Sequence, residues 1–163
     1  MAVLPLFKSL PVADVLHHTD RLPEPVRSYA RDTVTLGWED RVKARARRRS
    51  DLGLEFATAL PRGTVLRQDD CLVFDAPPLV IRVIERHEPV LVVRPVISKD
   101  RALWAYHIGN SHQPLMVTDT DLVCPDSPEM EQVLTYHAIP FERDTRPFTP
   151  AGQGAGHQHA PRV

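Results

Sequence analysis

The chain has 163 residues, 42% of them apolar and 25% charged, with 20 Lys and Arg against 21 Asp and Glu. That suffices for one domain, or two small ones, with a buried core, and it excludes a chain disordered throughout. A net charge of −1 excludes a broadly basic nucleic-acid binder and an acidic-tail protein, leaving room only for a local patch.

Two cysteines, Cys71 and Cys124, form no Cys-x-x-Cys pair. A thiolate zinc ribbon, a thioredoxin-type redox site and a disulfide-dense scaffold are therefore excluded. Pro5, Lys8 and Pro11 break the apolar N-terminus where a signal peptide needs continuity. No apolar run approaches the roughly 18 residues of a membrane span. The expected location is cytoplasmic, with no membrane partner. Sixteen prolines spread along the chain favour many short elements over long helices. Eight histidines bring in the commonest metal-ligating side chain.

In chain order, the first thirty residues are broken by Pro5, Pro11, Pro23 and Pro25 and read as short extended pieces with turns at Thr19-Asp20 and at 23–25. Thr33 to Leu36 reads as a strand. From Arg41 to Arg49, Val42, Ala44 and Ala46 alternate with Lys43, Arg45 and Arg47, the period of a strand with one solvated face. Turns follow at Asp51-Leu52-Gly53, Pro61-Arg62-Gly63 and Gln68-Asp69-Asp70. Between and after them lie alternating or apolar runs at Leu54 to Leu60, Cys71 to Phe74 and Leu79 to Ile84. Short strands at this spacing predict a small all-β domain over residues 1–86.

Beyond residue 86 the pattern changes. Val90 to Val96 is a strongly apolar strand. Ser98 to Ile108 reads as a helix with Ser98 as cap, Asp100 in its first turn, Leu103, Tyr106 and His107 on one face, and Gly109 as its left-handed stop. Short strands follow at Leu115 to Thr118 and Asp121 to Cys124. Ser127-Pro128-Glu129 starts a second helix carrying Met130, Val133, Leu134 and His137 at i, i+3, i+4 and i+7. A last strand is expected from Ile139 to Glu142. The order βαββαβ is the ferredoxin-like unit, expected over residues 87–146. Residues 147–163, rich in Pro and Gly, read as a flexible, His-containing tail. The fold class is thus α+β.

No nucleophile elbow, Walker loop, HExxH motif or paired-carboxylate signature is present, so the chain does not read as an enzyme. The informative segment is Tyr106 to Pro114, where a helix ends at Gly109 and His112 follows. The last carbonyls of a helix carry partial negative charge, so a His there can help hold a cation. A loop His without a role is the alternative. His157 and His159 lie two apart on a Gly-rich segment and can converge on one ion in an extended chain, or be an incidental pair. The nine residues from Phe148 to His157 reach roughly 30 Å extended. Such a tail can therefore fold back over a nearby site.

One His112 per chain binds a metal weakly, but a two-fold homodimer brings two copies to its axis. Tail histidines then complete a site that loads and unloads, which suits a carrier. Imidazole binds metal only when neutral, so affinity should fall as the pH drops below roughly 6. Nickel titration at pH 7.5 and 5.5 checks this, and equal affinities would contradict it. His107 reads as a structural His and, secondarily, as a further metal ligand. His17, His18 and His87 are expected at solvated positions, and His137 at a helix C-terminus.

The basic run is the rival signal. Arg41, Lys43, Arg45 and Arg47 can contact a protein partner, or belong to a nucleic-acid-binding or adaptor module in which the histidines are incidental. No aromatic residues interleave with the run, which favours the protein contact.

Leu36-Gly37-Trp38-Glu39-Asp40-Arg41, Gly53-Leu54-Glu55, Tyr106-His107-Ile108-Gly109-Asn110-Ser111-His112-Gln113-Pro114 and Pro147-Phe148-Thr149-Pro150 resemble the urease accessory protein UreE family over nearly the whole chain. The resemblance implies a nickel (Ni2+) metallochaperone serving apo-urease, in a complex that includes the GTPase UreG. It implies an N-terminal β domain that contacts partners and a ferredoxin-like domain that dimerises. It also implies His112 as the ligand given by each subunit, with His157 and His159 as tail ligands. Ser111 stands where the family usually has Arg. Only two tail histidines imply a capacity of one or a few ions. Residue chemistry alone does not choose nickel, since Cu2+ binds imidazole more tightly and Zn2+ competes.

Overall fold

The computed structural model describes residues 10–152. Two units share the chain: residues 1–35 with 43–84, and residues 36–42 with 85–163. Residues 36–42, read from sequence as part of the first domain, thus group with the second.

The first unit is built of strands and short 3-10 turns. One sheet has the order β1 (Val12–Ala13), β5 (Glu55–Ala59), β4 (Arg45–Arg49). The other has the order β2 (Leu16–His18), β6 (Asp70–Asp75), β7 (Pro78–Glu85), β3 (Ala30–Leu36). The expected turns at Thr19 and at 23–25 are the 3-10 segments Thr19–Arg21 and Glu24–Ser28. Alternation along β5 places Phe56 and Thr58 inward, as its period predicts. Phe56 meets Phe74 of the other sheet edge-on, with centroids 5.6 Å apart. Gly53 turns the chain between β4 and β5 at φ +94°, where a side chain would be strained.

The basic run is only partly the strand expected of it. Trp38–Arg41 is a short helix, α1, and the strand begins at Arg45. Arg41, expected on a solvated face, is fully buried. Its Nη1 donates to Glu85 Oε1 at 2.9 Å and to Thr149 Oγ1 at 3.0 Å, and its Nη2 donates to the Phe148 carbonyl. Arg48 also points inward, and its Nη2 donates to the Lys43 carbonyl at 2.7 Å. Lys43, Arg45 and Arg47 are exposed.

The second unit has the predicted βαββαβ order: β8 (His87–Val93), α2 (Ser98–Asn110), β9 (Met116–Val117), β10 (Leu122–Pro125), α3 (Pro128–Tyr136), β11 (Glu142–Pro147). The sheet order is β11-β8-β10-β9, antiparallel throughout. β8 is apolar on both sides because both its faces are covered. Leu91 and Val93 pack with Ile108, Met130 and Leu134 of the helices, while Val90 and Val92 pack with Phe148 and Trp38. Gly37 permits a close approach: a Cβ there would lie 2.7 Å from Glu88 Oε1, whose partner oxygen accepts the Trp38 N–H at 2.9 Å.

Several local expectations change. Ser98 is the first helical residue rather than the cap; Ile97 takes that position without a side-chain bond. α2 runs past Gly109 to Asn110, so Gly109 is not its stop. Leu103 and Tyr106 face outward, and burial falls on Ile108, with Trp104 and Ala105 against the core. α3 is as read: Ser127 Oγ accepts the Met130 N–H at 3.2 Å, and Met130 and Leu134 are buried. Ile139 is not a strand residue. Ala138 adopts φ +53° and Ile139 N–H donates to the Leu134 carbonyl at 2.8 Å, closing the helix and seating Ile139 in the core. The last strand therefore lies later than expected. The segment read as a tail is packed at its start: Pro147 ends β11, and Phe148 and Pro150 are buried.

Candidate metal centre

His112 sits just beyond the C-terminal end of α2. Ser111 N–H and Oγ–H both donate to the Ile108 carbonyl, at 3.2 and 2.6 Å, and His112 N–H donates to the Gly109 carbonyl at 3.0 Å. These bonds satisfy carbonyls the helix leaves over and tighten its last turn. The chain then reverses at His112 itself, whose φ is +59°. A left-handed conformation costs a non-glycine residue roughly 1–2 kcal/mol, although His tolerates it better than most. The imidazole is exposed at the negative end of the helix dipole. A backbone that could have used glycine at lower cost instead carries a side chain able to bind a cation.

The C-terminal segment returns to this turn. Thr149 N–H points at Met116 Sδ at 3.3 Å, and Ala151 N–H donates to the Leu115 carbonyl at 2.7 Å. Leu115 is three residues from His112. His157 and His159 lie outside the described residues.

His107 and His137 come together without His112. Their rings stack with centroids 3.8 Å apart, and Tyr106 and Tyr136 meet them edge-on. Parallel stacked imidazoles direct their in-plane lone pairs alongside each other rather than at one point, so this pair joins the ends of the two helices more readily than it chelates. His137 was legible as the i+7 position of α3; its partner was not. Among the described residues no three His, Cys, Asp or Glu are grouped to hold a metal ion. His18 and His87 are exposed and His17 half-buried.

The thiols are poor ligands. Both cysteines are free and buried. Burial pushes Cys124 up to about 12 and also raises Cys71, so neither offers a thiolate near neutral pH. Cys71 lies in the wall of a cavity of about 700 Å³ in the first unit, with Leu22, Val80, Arg31 and Arg82.

What sequence reasoning missed is the outer face of α2 and its approach: Val96, Ile97, Leu103 and Tyr106 are large, apolar and exposed. Periodicity identified a face there but not whether it meets the core or something outside. Among the described residues no helix is long and apolar enough to cross a membrane.

Comparison with known proteins accounts for both units. The family model for the UreE urease accessory protein N-terminal domain matches residues 12–85, and that for the C-terminal domain matches residues 88–162. The urease accessory protein UreE of Burkholderia thailandensis is 41% identical over 129 residues, covering 78% of this chain and 60% of that protein. Those of Burkholderia mallei and Burkholderia pseudomallei are each 40% identical over 128 residues, covering 77% of this chain and 63% of theirs. The chain thus spans about three fifths of the length of these curated relatives. Two successive domain matches in order, on a βαββαβ unit whose helix ends at an exposed His, place the chain in the UreE urease accessory protein family.

Proposed function

We propose that this chain is a nickel metallochaperone, not an enzyme, that works as a homodimer in the cytoplasm. Each copy contributes His112 to a shared Ni2+ site, His157 or His159 closes it, and the ion passes to apo-urease within an assembly that includes the GTPase UreG. The observation that carries this reading is the Ala151–Leu115 hydrogen bond. It sets the origin of the tail three residues from His112, and the six residues from Ala151 to His157 reach about 20 Å when extended. The exposed apolar face of α2 supports the dimer, because an isologous interface needs such a patch on each copy. Exchange of the tail histidines for ligands on the next protein would release the ion. Zn2+ and Cu2+ compete for the same imidazoles.

Calorimetric nickel titration of three chains tests this reading: the intact protein, His112→Ala and a chain ending at Gly156. The intact protein should bind one tight ion per pair of chains. His112→Ala should abolish that site, exceeding the roughly 10- to 100-fold loss typical when only a supporting partner is removed. The shortened chain should keep the stoichiometry with weaker affinity. His112→Gly should abolish the site equally while raising stability by about 1 kcal/mol, as the left-handed strain is relieved. Unchanged tight binding in both His112 variants would overturn the assignment.

A further inference from the structure

We propose that the outer edge of β4 is a docking site for an acidic segment of a partner protein, taken up as an added antiparallel or parallel strand. This names a partner chemistry for the first unit and stands apart from nickel binding.

The register fixes which groups face outward. Leu60 N–H donates to the Ala44 carbonyl and Ser50 N–H to the Leu54 carbonyl, so even-numbered residues of this strand pair with β5. The backbone N–H and C=O groups of Arg45, Arg47 and Arg49 therefore point away from β5. β4 is last in its sheet, so among the described residues the groups of Arg45 and Arg47 meet no further strand; β3 meets this edge only past Arg49, where Asp51 N–H donates to the Thr33 carbonyl at 2.7 Å. An open edge of this kind is a template for strand addition unless something blocks it.

The side chains select the partner. Arg45, Arg47 and Arg49 are exposed on one face of the sheet, roughly 7 Å apart along the strand. Arg45 and Arg47 have no hydrogen bond or ion pair among the described residues, while Arg49 Nε reaches the Gly53 carbonyl at 3.3 Å. Across from them on β5 stand Glu55, Ala57 and Ala59, so on that strand only Arg49 has an acidic neighbour. A strand added at this edge would place alternate side chains beside the guanidiniums at the same spacing, and Asp or Glu there would form bidentate pairs. Charge also guards edges against aggregation, but lysine is the common device, and guardian charges need no acidic ligand.

A nucleic acid fits less well. Among the described residues the face offers Val12, Ala57 and Ala59 beside the arginines and no ring for a base to stack on.

Fluorescence anisotropy with the full chain and labelled dodecapeptides tests the proposal. An alternating Glu-Thr peptide should bind saturably. The same peptide N-methylated at both its Glu and its Thr residues should bind at least about tenfold more weakly, because strand pairing in either direction uses the backbone N–H groups. Arg45→Glu with Arg47→Glu should abolish binding, and the milder Arg45→Gln with Arg47→Gln should weaken it at least about tenfold. Nickel stoichiometry and circular dichroism should not change in either variant. The proposal is overturned by equal binding of the two peptides, by binding that survives both variants, by no binding to the intact chain, or by tighter binding of a single-stranded RNA oligonucleotide. Loss of nickel binding in His112→Ala would leave the peptide result untouched, so the two readings fail separately.

Discussion

Arg41→Met is expected to destabilise the protein by about 3–5 kcal/mol, the cost of removing one partner from a buried ion pair. The Arg41 side chain has no exposed surface and that of Glu85 is 15% exposed. Truncation would remove the donors that Arg41 gives to the Glu85 carboxylate, the Phe148 carbonyl and the Thr149 hydroxyl. Buried acceptors without donors cost more than the net worth of the bonds they lost. The double variant Arg41→Met with Glu85→Leu should recover part of the loss, because an apolar pair of similar volume leaves no carboxylate facing the methionine. Urea unfolding of both variants measures this. A double variant less stable than Arg41→Met would show that Glu85 has other support. Arg45→Ala and Arg47→Ala, on exposed positions of the same run, should each change stability by no more than about 0.5 kcal/mol.

That contrast shows where the sequence was readable. Six basic residues between 41 and 49 have one composition but two fates. Alternation located Arg45 and Arg47 on the solvated face of β4, since period two is a local property. It could not locate Arg41, whose burial depends on Glu85, 44 residues away, and on Phe148, 107 residues away. α3 was legible because its signals are all local: a capping Ser127, Pro128 at the first position, then Met130 and Leu134 four apart. The stop of α2 was misread because glycine is the usual left-handed residue, and here His112 takes that conformation three residues later. At that position the backbone departs from its cheapest solution, and the residue there is also the candidate ligand. Such departures concentrate at functional sites. His112 was found from its neighbours in sequence. The return of the chain to Leu115 was hidden, because Phe148, Thr149 and Pro150 look like the start of a disordered segment until their contacts with Trp38, Met116 and Arg41 are seen.

Phe148→Ala separates anchoring from ligation. Phe148 is 1% exposed, packs on Val90, Val92 and Val123, and meets Trp38 edge-on at 5.7 Å. Emptying that volume should cost about 3–5 kcal/mol, measured by urea or thermal unfolding. Its effect on nickel should be far smaller. If the segment frees itself back to Pro147, the tether to His157 grows from six residues to ten. Loop-closure entropy then rises by only about 0.5 kcal/mol, or roughly a twofold loss of affinity. His112→Ala carries the opposite signature, with a site abolished and stability nearly unchanged. A folded Phe148→Ala protein that lost nickel affinity more than about tenfold would mean that the anchored segment does more than set the origin of the tail. Residues between Pro147 and Gly152 would then have to position the ion themselves.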